Sequence, residues 1–129
     1  MFFAEGFYGH DDALYGAARL LRIVADSGRS VQELLSDVPP FFSTPEIRVD
    51  CGDERKFPLV EAAAKHFKAT HDVIDVDGVR VLFGDGWGLI RASNTQPILV
   101  TRYEALTQDR LQDIRDEMEG WLRSQGVSP

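Results

Sequence analysis

Cysteine is almost absent: Cys51 stands alone in 129 residues, so no intrachain disulfide can form. A reducing, cytoplasmic setting suits such a chain. Long apolar runs are missing too. None approaches the roughly 18–20 residues that a membrane-spanning helix needs, so no membrane partner is expected. Residues Met1 to Gly6 lack the basic segment and extended apolar stretch of a secretory signal. Basic residues are in deficit, with 14 Lys and Arg against 21 Asp and Glu and a net charge of −7. That balance disfavours nucleic acid as a partner, because such binding relies on a basic face; a local basic pocket remains compatible with it. There is no nucleophile elbow, no P-loop, no HExxH motif, no internal repeat and no low-complexity tract. On its residues alone, the chain carries no visible catalytic residues.

What is present is an ordinary globular composition, 43% hydrophobic and 27% charged. The length suits one domain, or a small domain plus a remnant of another. Phe2, Phe3, Phe7 and Tyr8 crowd the first eight positions, whereas chain termini are usually frayed and solvated. The opening therefore reads like the middle of something.

Two segments meet near Pro39-Pro40. Asp11 or Asp12 can cap a helix reaching to about Ala25, with Leu14, Ala18, Leu21 and Ala25 on one face. Ser30-Val31-Gln32-Glu33 fits a capping box opening a short second helix, which the two prolines stop. Residues 41–45 read as a linker. Ile47, Val49 and Cys51 then alternate with polar residues as in a half-buried strand. Asp53 can cap a helix to about Lys68 whose stripe is Leu59, Val60, Ala63 and Phe67, with Pro58 awkward unless it lies in the first turn or so. Strands follow at Val73–Val76, Val79–Phe83, Trp87–Arg91 and Ile98–Glu104, with Asp77-Gly78 and Gly84-Asp85-Gly86 as hairpin turns. A last helix from about Thr107 to Arg123 should bury Leu111, Ile114, Met118, Trp121 and Leu122. From residue 46 onward this order predicts an α+β unit, an antiparallel sheet with helices on one face. The first 40 residues offer two amphipathic helices and no sheet to cover.

The stretch most suggestive of chemistry is Arg91-Ala92-Ser93-Asn94-Thr95-Gln96-Pro97. Between residues 91 and 103 there are two arginines and no acid. A tight loop presenting hydroxyls, an amide and backbone N–H groups beside a guanidinium is one way to hold a phosphate without a metal. The same residues equally suit a polar hairpin turn that satisfies its own backbone, and the residues alone leave both readings open. Arg102, further along the returning strand, either reaches back to the loop or projects into solvent. Gly84-Asp85-Gly86-Trp87-Gly88 precedes a strand rather than a helix, so it reads as a turn, with Trp87 expected in the core. In Gly9-His10-Asp11-Asp12 capping accounts for the aspartates, and no metal site is expected. His66 and His71 are expected at the surface, and Cys51 in the core.

Several stretches resemble, in order, the C-terminal region of bacterial phosphomannomutase/phosphoglucomutase, within the α-D-phosphohexomutase superfamily. Phe2-Phe3 through Tyr8-Gly9-His10-Asp11-Asp12-Ala13-Leu14-Tyr15 looks like the stretch just after the sugar-binding loop of the family's third domain, and Ala17-Ala18-Arg19-Leu20-Leu21 continues into that domain's closing helices. Thr44-Pro45-Glu46-Ile47-Arg48 looks like the entry to its fourth. Asp75-Val76-Asp77-Gly78-Val79-Arg80 and Asp85-Gly86-Trp87-Gly88 resemble that domain's strands, and Arg91 to Pro97 its phosphate-binding loop. The Ser-Asn-Thr form looks more like the mannose/glucose branch than the phosphoglucosamine one.

The resemblance implies a TATA-binding-protein-like α+β domain over residues 41–129. Residues 1–40 would be two helices left over from an α/β domain. It implies that the parent interconverts hexose 1- and 6-phosphates through a phosphoserine, with Mg²⁺ in the parent and a bisphosphorylated intermediate. This chain would clamp the non-reacting phosphate through Arg91, Ala92, Ser93, Asn94 and Thr95, with Arg102 nearby. The phosphoserine segment, the aspartate-rich metal loop and the Gly-Glu-x-Ser-Gly-His sugar loop are not in this sequence. Catalytic residues, a metal and a cofactor are accordingly not expected within it. Expected partners are a mannose or glucose phosphate, the parent's remaining domains and, through residues 1–40, further copies of the chain. A rival reading is a stand-alone phosphosugar-binding or interaction module without mutase chemistry.

Overall fold

A computed structural model of the chain describes residue 3 and residues 6–129. The expectation placed on Phe2 lies outside the described residues. The chain divides into two compact units, Met1–Pro39 and Pro40–Pro129.

The first unit holds helices α1 (Ala13–Ser27) and α2 (Val31–Leu34). Asp12 caps α1 by accepting the Tyr15 N–H at 2.9 Å. Gly28 ends it in the left-handed region at φ 63°, a conformation a Cβ would penalise. The Ser30–Glu33 capping box forms in full at α2. Phe3, Phe7 and Tyr15 gather at the start of α1, with Phe7 stacked on Tyr15 at 4.0 Å. Yet α1 buries none of its residues, and Leu14 of the expected apolar face is 84% exposed.

The second unit is a six-stranded antiparallel sheet with two helices. Its strands are β1 (Phe42–Ser43), β2 (Ile47–Asp50), β3 (Asp72–Ile74), β4 (Val79–Leu82), β5 (Gly86–Ala92) and β6 (Ile98–Ala105). The order is β1-β6-β5-β4-β3, with β2 also on β6. Helices α3 (Asp53–Phe67) and α4 (Gln108–Ser124) pack on one face. Side chains alternate across a strand, so Val79, Val81, Gly88, Ile90, Ala92, Leu99, Thr101, Tyr103 and Ala105 lie beneath the helices. From above, Leu59, Ala63 and Phe67 of α3 and Leu111, Ile114, Met118 and Leu122 of α4 complete the core. Gly88 makes room for α4, because a Cβ there would collide with Met118 Sδ and stand 3.0 Å from Tyr103 Cδ1.

Several expectations change in the structure. The presumed linker contains β1, which pairs Phe42 with Ala105 and Ser43 with Glu104. Between β1 and β2 the hydroxyl of Thr44 accepts the Tyr103 N–H at 3.1 Å, and Thr44 N–H donates to Tyr103 O, which ties this segment to β6 before Ile47 pairs with Thr101. Gly52, not Asp53, occupies the N-cap of α3; Asp53 is the first helical residue and makes no cap bond. Pro58 sits six residues into α3, where its missing N–H costs a helical bond. Trp87 is not in the core. It lies half-buried on the face away from the helices, with the Arg80 guanidinium 3.8 Å from its ring, because β5 places Gly88, not Trp87, under α4. Trp121 is likewise half-buried, flanking Phe67 at 5.8 Å. His71 is half-buried against Phe83 and faces Glu117 at 3.7 Å, while His66 is exposed.

The core also contains polar groups. Glu119 of α4 is buried between Arg115 at 2.7 Å and Arg123 at 3.4 Å. Tyr103 is fully buried, and its hydroxyl and that of Thr101 have no partner of hydrogen-bond geometry among the described residues. Burial pushes the Tyr103 phenol up to about 12, from an ordinary value of 10. Its neutral form is therefore favoured in the folded state. That contribution is fully present below pH about 10 and is lost as pH rises toward about 12, the two limits set by the unfolded and folded phenol. In urea titrations, stability should fall by about 1 kcal/mol between pH ~9 and pH ~11 on account of this group. The Tyr103→Phe variant should lack that part of the slope, and an identical slope in both proteins would refute the assignment.

Candidate functional site

The candidate loop joins β5 to β6. Ser93 N–H donates to Ile98 O at 3.0 Å, closing the ladder at the loop's base. Ser93 Oγ accepts the N–H groups of Thr95 at 3.3 Å and Gln96 at 3.1 Å. The serine hydroxyl thus shapes the turn, as an ordinary polar turn would, and its own proton stays available to an outside acceptor. Asn94 and Thr95 are exposed at the tip, while Ser93 is half-buried.

Strand alternation puts Arg91 on the face opposite the helices, with Trp87 and Leu89. Ala92 faces the core and is 7% exposed, so only its backbone can serve a ligand. Because the Ser93 N–H points to β6, the Ala92 N–H is turned the other way, toward the Asp77-Gly78 side. Arg91 opposes Val100 and Arg102 opposes Leu89 across the β5–β6 ladder. The two arginines are therefore diagonal neighbours on one face, with a separation of about 7–8 Å at their bases. Arg102 thus shares the sheet's open face with Arg91.

Arg48 of β2 also opposes Val100, from the other side. Val100 is consequently flanked by two arginines and is nearly buried although no helix covers it. The acids on this face are held at the margins: Asp77 lies 3.6 Å from Arg91, Glu104 3.7 Å from Arg102 and Glu46 3.2 Å from Arg48. Arg91 Nε is shielded from solvent and has no hydrogen-bond partner among the described residues. A buried donor left without a partner is uncommon and calls for a physical reason. Gly78 allows the Asp77 turn to approach Arg91: its φ is 98°, and a Cβ would stand 2.6 Å from Ile90 O and 3.0 Å from Arg91 Cα.

The other arm of the loop is anchored from β2 and α3. Cys51 N–H donates to Pro97 O at 3.3 Å, Arg48 Nη1 to Gln96 Oε1 at 3.4 Å, and Lys56 Nζ to Gln96 O at 3.1 Å. Burial pushes the Cys51 thiol up, which keeps it protonated beside these carbonyls. Neither Arg48 nor Lys56 was singled out by the sequence. Lys56 had a legible signal, since it continues the spacing of Leu59, Ala63 and Phe67 on the buried stripe of α3. Among the described residues no cluster of three His, Cys, Asp or Glu side chains could hold a metal. The Mg²⁺ that the resemblance implies is one of the parent, and the described residues offer it no such cluster. No helix of the described residues is long and apolar enough to cross a membrane.

Comparison with known proteins turns on the same segment. The family model "Phosphoglucomutase/phosphomannomutase, C-terminal domain" matches residues 46–120, which include the loop and both arginines. The chain belongs to this family. The phosphomannomutase/phosphoglucomutase of Pseudomonas putida is 44% identical over 117 residues, covering 90% of this chain and 25% of that protein. The phosphoglucomutase of Neisseria gonorrhoeae is 42% identical over 127 residues, covering 96% and 27%. A solved phosphoglucomutase/phosphomannomutase family structure from Burkholderia thailandensis superimposes with a TM-score of 0.74 at 38% identity, covering 95% of this chain and 26% of that one. The chain thus spans about a quarter of the length of the curated relatives it matches. The matched residues 46–120 lie within the Pro40–Pro129 unit, an antiparallel sheet with helices on one face.

Proposed function

We propose that this chain is the C-terminal part of a phosphohexomutase and that its β5–β6 loop grips a phosphate of the hexose substrate. The observation that carries the reading is the placement of Arg91 and Arg102 as diagonal neighbours on one face, beside a loop with Ser93 half-buried and Asn94 and Thr95 exposed at its tip. Two guanidiniums supply charge-assisted donors for a dianion. The Ser93 hydroxyl, the Asn94 amide and the Thr95 hydroxyl supply neutral donors at the tip. The unpartnered Nε of Arg91 supports the same reading, because an arriving phosphate oxygen is an acceptor suited to it. Asp77 holds Arg91 loosely until that exchange.

In this role the chain binds the phosphate that is not reacting, whether it sits at carbon 1 or carbon 6. Binding energy applied at that remote end positions the reacting phosphate elsewhere in the parent. Interconversion of mannose or glucose 1- and 6-phosphates through a phosphoserine belongs to the parent as a whole. So does Mg²⁺. This chain supplies no nucleophile and is inactive by itself. The Met1–Pro39 unit is the helical end of the preceding domain, and the uncovered apolar residues of α1 fit a helix that the rest of such a domain, or another copy, would cover. The cytoplasm is the setting that suits sugar-phosphate chemistry and a single buried thiol.

Backbone-amide NMR of the 129-residue chain tests the reading directly. Glucose 1-phosphate and mannose 1-phosphate should each shift the amides of residues 91–95 saturably, and free glucose should not. Shifts of equal size with free glucose, or shifts centred away from the loop, would sink it.

A further inference from the structure

Lys56 is a buried cation with no part in the phosphate contacts just described. It is 4% exposed, in the first turn of α3. An ammonium removed from water is costly unless its charge and its hydrogens are answered. Lys56 Nζ lies 2.6 Å from Asp53 Oδ1 and donates to the Gln96 carbonyl at 3.1 Å. The next residue is Pro97, whose nitrogen has no hydrogen. The peptide group at the loop's end can therefore be fixed only through its carbonyl, and Lys56 takes that carbonyl. On the inner side, Gln96 N–H is bonded to Ser93 Oγ at 3.1 Å. Gln96 is thus held from both sides, and through it so is the turn that carries Ser93, Asn94 and Thr95.

We propose that Lys56 is a positioning residue that locks the loop in the shape that receives a phosphate monoester. The proposal rests on the reading of residues 91–95 as the phosphate site. Packing by itself does not require a lysine at this place. A methionine of similar length would fill the stripe beside Leu59 and Ala63 with no charge to desolvate. What the ammonium adds is a long-reaching donor, delivered from a rigid helix to a loop whose own backbone cannot close on itself at Pro97.

The test compares wild-type, Lys56→Met and Lys56→Arg chains of 129 residues by amide hydrogen exchange without ligand, then by titration with glucose 1-phosphate. In Lys56→Met the sheet amides should keep their protection, while the Thr95 and Gln96 amides exchange about tenfold faster. Binding should weaken about three- to tenfold, as expected when one charge-assisted contact is lost and felt indirectly. Lys56→Arg, which keeps a charged donor, should recover most of the affinity. If Lys56→Met does not fold, Lys56→Gln is read in the same way. Unchanged loop exchange in the neutral variant, with or without a change in affinity, would overturn the proposal. So would weakened binding accompanied by loss of protection across the whole sheet, since that would mark a general structural role. A wild-type chain that binds glucose 1-phosphate alongside an equally competent Lys56→Met overturns the positioning role alone. A wild-type loop left unshifted by glucose 1-phosphate overturns the phosphate reading itself.

Discussion

Replacing Gly88 by valine should destabilise the Pro40–Pro129 unit by about 3 kcal/mol or more, the upper range for overpacking a filled core. Gly88 lies in the middle of β5, opposite Tyr103 on β6 and Val81 on β4. Tyr103, Val81 and Met118 around it are all fully buried. The first added carbon already collides with the Met118 sulfur, and Tyr103 closes the alternative direction at 3.0 Å. The two further carbons of valine fit only if the Met118 side chain is driven from its place or α4 lifts off the sheet. Urea unfolding should therefore show a much lower midpoint, and a midpoint within error of wild type would contradict this packing. A cycle with Met118→Ala separates collision from other causes. Met118→Ala alone should cost about 2–5 kcal/mol through the cavity it leaves. Combined with Gly88→Ala, the loss should be smaller than the sum, because the new methyl enters the space that the thioether vacates. Strict additivity would mean that the two residues do not share that space.

The second large effect concerns ligand rather than stability. Arg91→Ala should weaken binding of glucose 1-phosphate to the chain by about 10- to 100-fold, since losing a charge-assisted contact costs roughly 1.5–3 kcal/mol. The reason is geometric as well as electrostatic. Arg91 is the last outward-facing residue of β5, and its Nε is shielded from solvent with no hydrogen-bond partner among the described residues. A lysine there would keep the charge and lose the planar fork, so Arg91→Lys should restore only part of the affinity. The half-exposed side chain contributes little to the core, so urea unfolding should change little. NMR titration of the three proteins checks both statements. Equal dissociation constants in wild type and Arg91→Ala would remove Arg91 from the site.

Much of this molecule was legible from local patterns. Capping signals at Asp11 or Asp12 and at Ser30 each place a helix start where the structure has it, because a cap is a contact between residues three apart. Alternation marked Ile47 to Cys51 for the same reason, a period of two being a property of neighbours, and the hairpin turns at Asp77-Gly78 and Gly84-Asp85-Gly86 set off the strands beside them. Where the local signal was shared between two outcomes, the reading failed. Trp87 and Gly88 adjoin in sequence, and apolarity pointed to the tryptophan as core. The strand's parity, set by pairing with β4 and β6, put the glycine inside. Residues 41–45 carry no strand signature strong enough to overrule a linker. They join the sheet because β6 extends to Ala105 and leaves its edge free there.

The candidate site divides along the same line. Order and composition were enough to mark Arg91 to Thr95 as an acid-free, donor-rich loop, and the family likeness follows from those residues in that order. Sequence also placed Arg102 on a strand, since alternation is local. Whether Arg102 shares a face with Arg91 depended on register. A slip of one residue between β5 and β6 would have sent one of them into the core side. Pairing of Arg91 with Val100 and of Leu89 with Arg102 decided it. Lys56 shows the difference most sharply. By spacing it belongs to a buried stripe, and by chemistry it belongs in water. The Asp53 carboxylate beside it and the carbonyl of Gln96, 40 residues away and brought within 3.1 Å by the packing of α3 against the loop, together reconcile the two. Local interactions are written in the sequence because their partners are neighbours; register and long-range hydrogen bonds are decided when distant segments meet.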